Sequence, residues 1–410
     1  VIGLVRLPDE VGRYPDGMGT PDVGRNLRAI RHARGKSLAV VAGLAGISAS
    51  YLSRLESGER ALDRRSLIVA LANALDVAPS EITRTAVTTA GELDEDRSLN
   101  DVRLSLLSAS MNEPRGRVAP LDELRARTEE VLTAQRDCDY ALVGAKLPGL
   151  VRDLHTTLRA NRDEREVLRL LVMTHVQGTQ AWLGDIGASL DLAWQASSLA
   201  KQAAERLDEP LYDAVSAFGT AFGLIGAGGF GLARDSLSAA DPGTDTPEAA
   251  QVSGMLALTL SLVSAASKDH AERVAALEHA GDLAEHTGEG DALYFGFGPS
   301  NVGVWRMSVA LEAGEHAEAA RIAETVNPDA LPSPTRLSAY YREYGRALAR
   351  LPKQRDNAVM MLRRAEMISP ARIHRHPFMR SVLAELLARA KRDAVGRELR
   401  GMAYRAGLPV

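Results

Sequence analysis

The chain has 410 residues with 49 basic and 53 acidic side chains, a formal charge of −4, a single cysteine, and 4% aromatics within a 45% hydrophobic composition. That length suggests roughly two or three domains with ample core, and a core poor in aromatics must be assembled from Ala, Leu and Val, which favours packed helices over sheets. The lone Cys138 excludes an internal disulfide framework and fits a reducing cytosol, so the expectation is an all-α, cytoplasmic protein.

Residues 1–21 are rich in Gly, Pro and Asp and weakly patterned. They read either as a flexible N-terminal arm or as a leader before a start at Met18. Patterned sequence then runs from Val23 to Ile82. Ser37 is placed to cap a short helix whose apolar face carries Leu38, Val41, Ala42 and Leu44. Gly46 supplies a tight turn and Ile47 plugs it. Ser48 caps a second helix in which Leu52 and Leu55 face inward, and Gly58 stops that helix. The next run has Asp63 as its expected cap and buries Leu67, Leu71 and Leu75. Two capped short helices joined by a glycine turn suit the placing of the second helix in a DNA major groove.

Residues 22–84 carry 10 basic and 6 acidic side chains, a local charge of +4 that leaves −8 on the remainder. A basic module on an acidic body is the electrostatic footprint of a protein that touches DNA at one end. Phosphates are expected at Lys36, Ser37, Ser48, Arg60, Arg64 and Arg65, and at the capped helix N-termini. Base reading is assigned to Ala49, Ser50, Ser53 and Arg54, of which only Arg54 can make a bidentate contact, most naturally to guanine. Tyr51 either stacks on the DNA backbone or a thymine methyl, or packs against the neighbouring helix.

The Gly46-Ile47-Ser48 turn, the first-helix apolar core and the run Leu52-Ser53-Arg54-Leu55-Glu56-Ser57-Gly58 resemble the Xre/Cro-like helix-turn-helix of phage repressors and bacterial regulators. The resemblance implies a structural ion pair between Arg31 and Glu56. It also marks a departure: Leu38 stands where such proteins often carry a DNA-contacting Gln, which shifts contacts toward Lys36, Ser37 and backbone amides.

Residues 85–117, with the acidic run Glu92–Asp96 and Pro114-Arg115-Gly116, read as a linker holding a short helix at 100–110. From 118 to 410 small-residue helices recur about every forty residues. Each follows an amphipathic partner: 211–225, 247–266, 291–313, 333–351 and 374–391. Turns such as Gly228-Gly229, Asp241-Pro242, Gly288–Gly290 and Pro332–Pro334 separate them. A helix pair that cannot bury its own face must stack on neighbours, which predicts an α-solenoid. The pattern looks like degenerate tetratricopeptide repeats. Two uncharged runs, 214–233 and 249–267, are broken by Gly, Ser and Gln and read as buried helices rather than membrane spans.

No catalytic constellation is found. Gly226-Ala227-Gly228-Gly229-Phe230-Gly231 matches the dinucleotide fingerprint in letters, but a helical run precedes it where the mechanism requires a strand, so it reads as an interhelical turn. His270, His279 and His286 do not share ligand spacing, and no metal or cofactor is expected. Candidate groove residues fall in three patches. One holds His175, Gln177, Gln180 and Trp182. A second holds Asn301, Trp305 and Arg306 beside the aromatic run Tyr294–Phe297, and a third holds Tyr340, Tyr341, Tyr344 and Arg346. For Phe295, Phe297 and Trp305 the alternative is simple core packing.

An Xre-type head on a tetratricopeptide-like body resembles the Rap–NprR–PlcR–PrgX–Rgg group in layout. That resemblance implies a homodimer binding a double-stranded DNA operator, with a peptide or small-molecule effector in the repeat groove. The other reading is a DNA-tethered adaptor whose solenoid docks a protein partner.

Overall fold

The computed structural model describes residues 23–83, 92–331 and 333–410, with side chains of 92–96 left aside. The expected arm at 1–21, the acidic run's side chains, Arg84 and Pro332 lie outside the described residues. Every regular element described is helical.

The first unit contains α1 (Val23–Ala33), α2 (Leu38–Leu44), α3 (Ala49–Glu56), α4 (Arg65–Leu75) and α5 (Pro79–Thr83). Its core is Leu27, Val41, Leu52, Leu55, Leu71, Leu75 and Ile82, with Ile47 half-buried against it. Leu44, expected on the apolar face, is instead 65% exposed. In so short a helix the inner stripe is filled by Val41 and Ala42, with Leu38 half-buried beside them.

Next comes α6 (Glu92–Ser110), longer than the helix expected inside the linker. It buries Val102, Leu106 and Ala109 at helical spacing, against α8 (Tyr140–Arg159) and α11 (Leu190–Leu207). The repeats begin with α7 (Leu121–Arg136) paired to α8. In the second pair, α9 (Glu164–Met173), a π-helical turn at Thr174–Gln180 and α10 (Ala181–Asp185) run on to meet α11. Then follow α12 (Pro210–Ala227) with α13 (Phe230–Ala239), α14 (Pro247–Ser267) with α15 (His270–Thr287), and α16 (Pro299–Ala313) with α17 (His316–Ala323). The last members are α18 (Pro334–Leu348) with α19 (Arg355–Ile368), and α20 (Pro370–His374) and α21 (Pro377–Ala388) with α22 (Ala394–Arg405).

One expected helix is split. Residues 291–313 form a 3-10 turn at Ala292–Tyr294, an irregular stretch, and only then α16, whose first residue is Pro299. Pro299 disfavours helix in the residue before it and is itself suited to a helix start. The dinucleotide-like glycines end α12, with Gly228 at φ 82° as its left-handed C-cap, so they are the interhelical turn the sequence suggested. Of the two uncharged runs, α14 is apolar and long enough to cross a membrane, but 89% of its most apolar window is buried by neighbouring helices.

First helices of successive pairs pack side by side, α12 on α14, α14 on α16 and α16 on α18. The first pair reaches back across the row: α7 touches α18 and the 3-10 turn. Arg136 pairs with Asp291 at 2.8 Å and Arg372 with Asp185 at 2.8 Å, both across this closure.

Candidate nucleic-acid interface

The α2–α3 unit is built by its caps. Ser37 Oγ accepts the Val40 amide at 3.3 Å and Ser48 Oγ the Tyr51 amide at 3.1 Å, each satisfying one orphan donor of its helix. Between them Gly46 adopts φ 68°, a left-handed conformation that a side chain would strain. Leu52 and Leu55 anchor α3 from within, which turns Ala49, Ser50, Ser53 and Arg54 to solvent. Tyr51 is half-buried against the core, and the Arg54 guanidinium lies 5.9 Å from the centre of its ring. Behind this face Arg31 holds Glu56 through two bonds, 2.6 and 2.8 Å, with both side chains buried. Pairing with Glu56 holds the Arg31 pKa above its ordinary value.

Residues 22–84 match the protein-family model described as a helix-turn-helix domain. These residues are a helix-turn-helix domain. No curated protein matches the chain. Among solved structures, ComR from S.thermophilus, crystallised with DNA and its signalling peptide ComS, aligns over 80% of this chain and 99% of its own. The two are 15% identical with a TM-score of 0.34, a level of overlap that says nothing of shared ligands or partners.

The helix-turn-helix domain is docked on the repeats through the side expected to hold phosphates. Glu312, at the end of α16, accepts the Arg65 amide at 3.0 Å, the Ser66 amide at 2.8 Å and the Ser66 hydroxyl at 2.9 Å. Thus α4 is capped by a carboxylate from the repeats and not, as the sequence suggested, by Asp63. Asp63 instead meets Arg350 at 3.0 Å, while its carbonyl accepts from Arg346 at 2.7 Å. Glu385 on α21 accepts the Ala61 amide at 2.8 Å and lies 3.4 Å from Arg60 and 3.0 Å from Arg350. Ala61 belongs to the core of the last repeats, and Phe378 of α21 belongs to the core of the helix-turn-helix domain. The guanidiniums of Arg65 and Arg346 both lie 5.3 Å from the centre of the Phe378 ring. Gly228 allows a close approach: a Cβ there would sit 2.8 Å from Val69.

Arg60 and Arg65 are therefore engaged within the chain. Arg64 is half-buried beside Gly314. Lys36 donates to the Ala74 carbonyl and to Asp76, both at 2.7 Å, which holds the Asp76 carboxyl below its ordinary pKa. Two histidines line the seam. Burial pushes His316 down to about 4 and His376 well below its usual range, with Arg346 near both.

The structure does not gather the groove residues into one site. His175 is sealed in the π-helical turn, its Nε2 2.9 Å from that of His155, and burial pushes His155 down to about 4. Gln180 donates to the Gly219 carbonyl at 2.7 Å, and Gln177 is half-buried. Asn301 has no exposed surface and donates to the Met255 sulfur, so it lines no open groove; Trp305 packs 6.1 Å from Phe222 in the core. Phe295 and Phe297 are core residues as well. Small neighbours let these aromatics pack inward, as at Gly254 beneath the Phe297 ring. Arg306 is exposed, and Tyr341 and Tyr344 sit half-buried around Tyr340. Sequence reasoning missed Glu312, Glu385, Arg350 and Phe378, because nothing in their local sequence distinguishes them from solvated or core positions. Among the described residues no group of three or more ligating side chains could hold a metal ion.

Proposed function

We propose that the chain is a sequence-specific DNA-binding transcriptional regulator whose helical repeats hold the DNA-reading head and respond to a ligand. The observation that carries this is the exposed Ala49–Arg54 face of α3, presented by two capped helices within a matched helix-turn-helix domain. Arg54 reads a guanine and Ser50 and Ser53 supply lesser contacts. One strong base-reading side chain gives little discrimination, so two heads at fixed spacing, as in a homodimer on a paired half-site, supply the specificity.

The docked seam supports the regulatory part of this reading. The amides of Ala61, Arg65 and Ser66 face carboxylates where DNA would bring phosphates. A head so held must exchange those carboxylates for phosphates to bind, and a ligand that favours one arrangement of the repeats shifts that exchange. Arg54→Ala tests the reading. Operator-specific affinity should fall by roughly five- to a hundredfold, the worth of one bidentate base contact, with nonspecific affinity changed far less. An equal loss on both DNAs, measured by anisotropy at fixed salt, removes the base-reading role.

A further inference from the structure

Where the first repeat closes onto the later ones, Arg372 and Arg136 hold the carboxylates of Asp185 and Asp291, with Asp137 3.5 Å from Arg136, and a third guanidinium, Arg336, lies close by. Arg372 takes Asp185 in a two-pronged pair at 2.8 and 3.0 Å, and Asp185 also accepts Gln135 Nε2 at 2.8 Å and the Tyr140 hydroxyl at 3.1 Å. Arg136 takes Asp291 at 2.8 Å. Arg336, in the first turn of α18, has no carboxylate: its Nη2 donates to the Phe295 carbonyl at 2.6 Å, and its Nε and Nη1 have no partner among the described residues. Those two nitrogens are not sealed, since Arg336 is half-buried and neither is among the inaccessible unpaired atoms. Burial and the neighbouring Arg372 push its pKa down to about 10, and Asp291 and Asp185, each engaged by another arginine, offset that only in part.

The same network leaves acceptors unpaired. Gln135 is 5% exposed, and its Oε1 has no hydrogen-bond partner; Asp291 Oδ1 is equally inaccessible and unpaired. Thr335, next to Arg336, binds the carbonyls of Gln135 and Arg136 at 3.2 and 2.6 Å, which ties these groups into one locality. Open donors on a cation with no carboxylate in direct contact, beside unpaired acceptors, complement a ligand that carries a carboxylate and an N–H.

We propose that Arg336 is the anchor of a binding site for an organic carboxylate, set between the α7–α8 turn, the Ala292–Tyr294 turn and the start of α18. The carboxylate takes the Arg336 guanidinium in a charge-assisted pair, and an N–H of the ligand supplies Gln135 Oε1 or Asp291 Oδ1. Because the site bridges the first and sixth helix pairs, occupancy favours the closed arrangement of the repeats. Only that consequence rests on the regulatory reading above; the binding itself does not.

Calorimetric titration of the full chain in chloride buffer, without DNA, tests it with N-acetyl-leucine, acetyl-Ala-Ala-Leu and the C-terminal amide of that tripeptide. Both acids should bind saturably and the amide at least about tenfold more weakly, given the cost of leaving a buried charge unpaired. A tighter tripeptide acid points to a peptide end, and equal acids point to a small free acid. Arg336→Gln should lose the preference for acid over amide. Asp291→Asn, which raises the local charge by one, should tighten acid binding and keeps the test open should Arg336→Gln fail to fold, as circular dichroism would reveal. Equal binding of acid and amide, or an unchanged preference in Arg336→Gln, overturns the site. DNA affinity plays no part in these readouts, so the DNA-reading proposal stands or falls separately.

Discussion

At the scale of single residues, the pair behind the recognition face shows what motif reading captures. Arg31 and Glu56 meet as the helix-turn-helix resemblance implied, and their side chains are only 8% and 5% exposed. A buried pair of this kind is costly to break from one side, because the remaining charge is stranded, yet often neutral to replace as a whole. Arg31→Met should therefore destabilise the head by about 3–5 kcal/mol, and Arg31→Met with Glu56→Leu should recover most of that. Native-state hydrogen exchange of α1 and α3 amides would measure both; a double variant no better than the single one would place the loss in packing rather than stranded charge. Ser37 and Ser48 were equally legible, since a cap acts on amides two or three residues away. Asn301 and His175 were not, because a polar residue on an apolar helix reads the same in sequence whether it faces a groove or a sealed interior.

At the scale of elements, helix pairs were legible from periodicity and turn residues, and their limits mostly agree with the structure. Failures came where a local rule met a distant partner. Asp63 stands before an apolar run and so reads as a cap, but the α4 amides are taken by Glu312 some 247 positions away. The 291–313 stretch shows a second kind of failure. Its composition reads as helix, while Leu293 and Tyr294 take φ of 50° and 62°, a conformation that only tertiary contacts sustain in residues with bulky side chains. The Glu312 cap carries its own prediction. Glu312→Gln keeps the side chain's length but removes the charge that the α4 N-terminus and Arg65 attract, so docking weakens. Nonspecific DNA affinity should rise by about three- to tenfold, the worth of one charge-assisted bond against a neutral one. Anisotropy on a short duplex would read this, and an unchanged or lower affinity would mean Glu312 does not compete with phosphate.

At the scale of the whole molecule, the seam between head and repeats was invisible to sequence, because its contacts join residues as far as 325 positions apart. It also gathers several buried ion pairs. Glu343 is buried, which alone would raise its pKa, yet Arg346 and Arg342 outweigh burial and hold it at about 2. A carboxylate lowered in this way contributes stability that is full above its ordinary pKa near 4.5 and is lost only as pH falls toward 2. The seam histidines act earlier. His316, facing Asp63, Arg350, Arg346 and Arg64, is neutral in the folded chain down to about 4, whereas an exposed histidine protonates near 6.5. His376 faces Arg342, Arg346, Arg65 and Arg372, and is held lower still. Their stabilisation is complete above 6.5 and declines as pH drops toward 4, since the released state binds protons that the docked state refuses. The head should therefore loosen between pH 6.5 and 4, while Glu343 is still charged. Exchange protection of the Ala61, Arg65 and Ser66 amides, corrected for intrinsic rate, should fall on going from pH 7 to 5. Amides of α8 near Leu147 supply the internal reference, because His155 and His175 lower the stability of the repeats over the same range. Substituting His316 and His376 by Asn should flatten the seam response and leave the α8 response intact. Seam protection that merely tracks α8 in both proteins would show that the head is released only when the repeats themselves open.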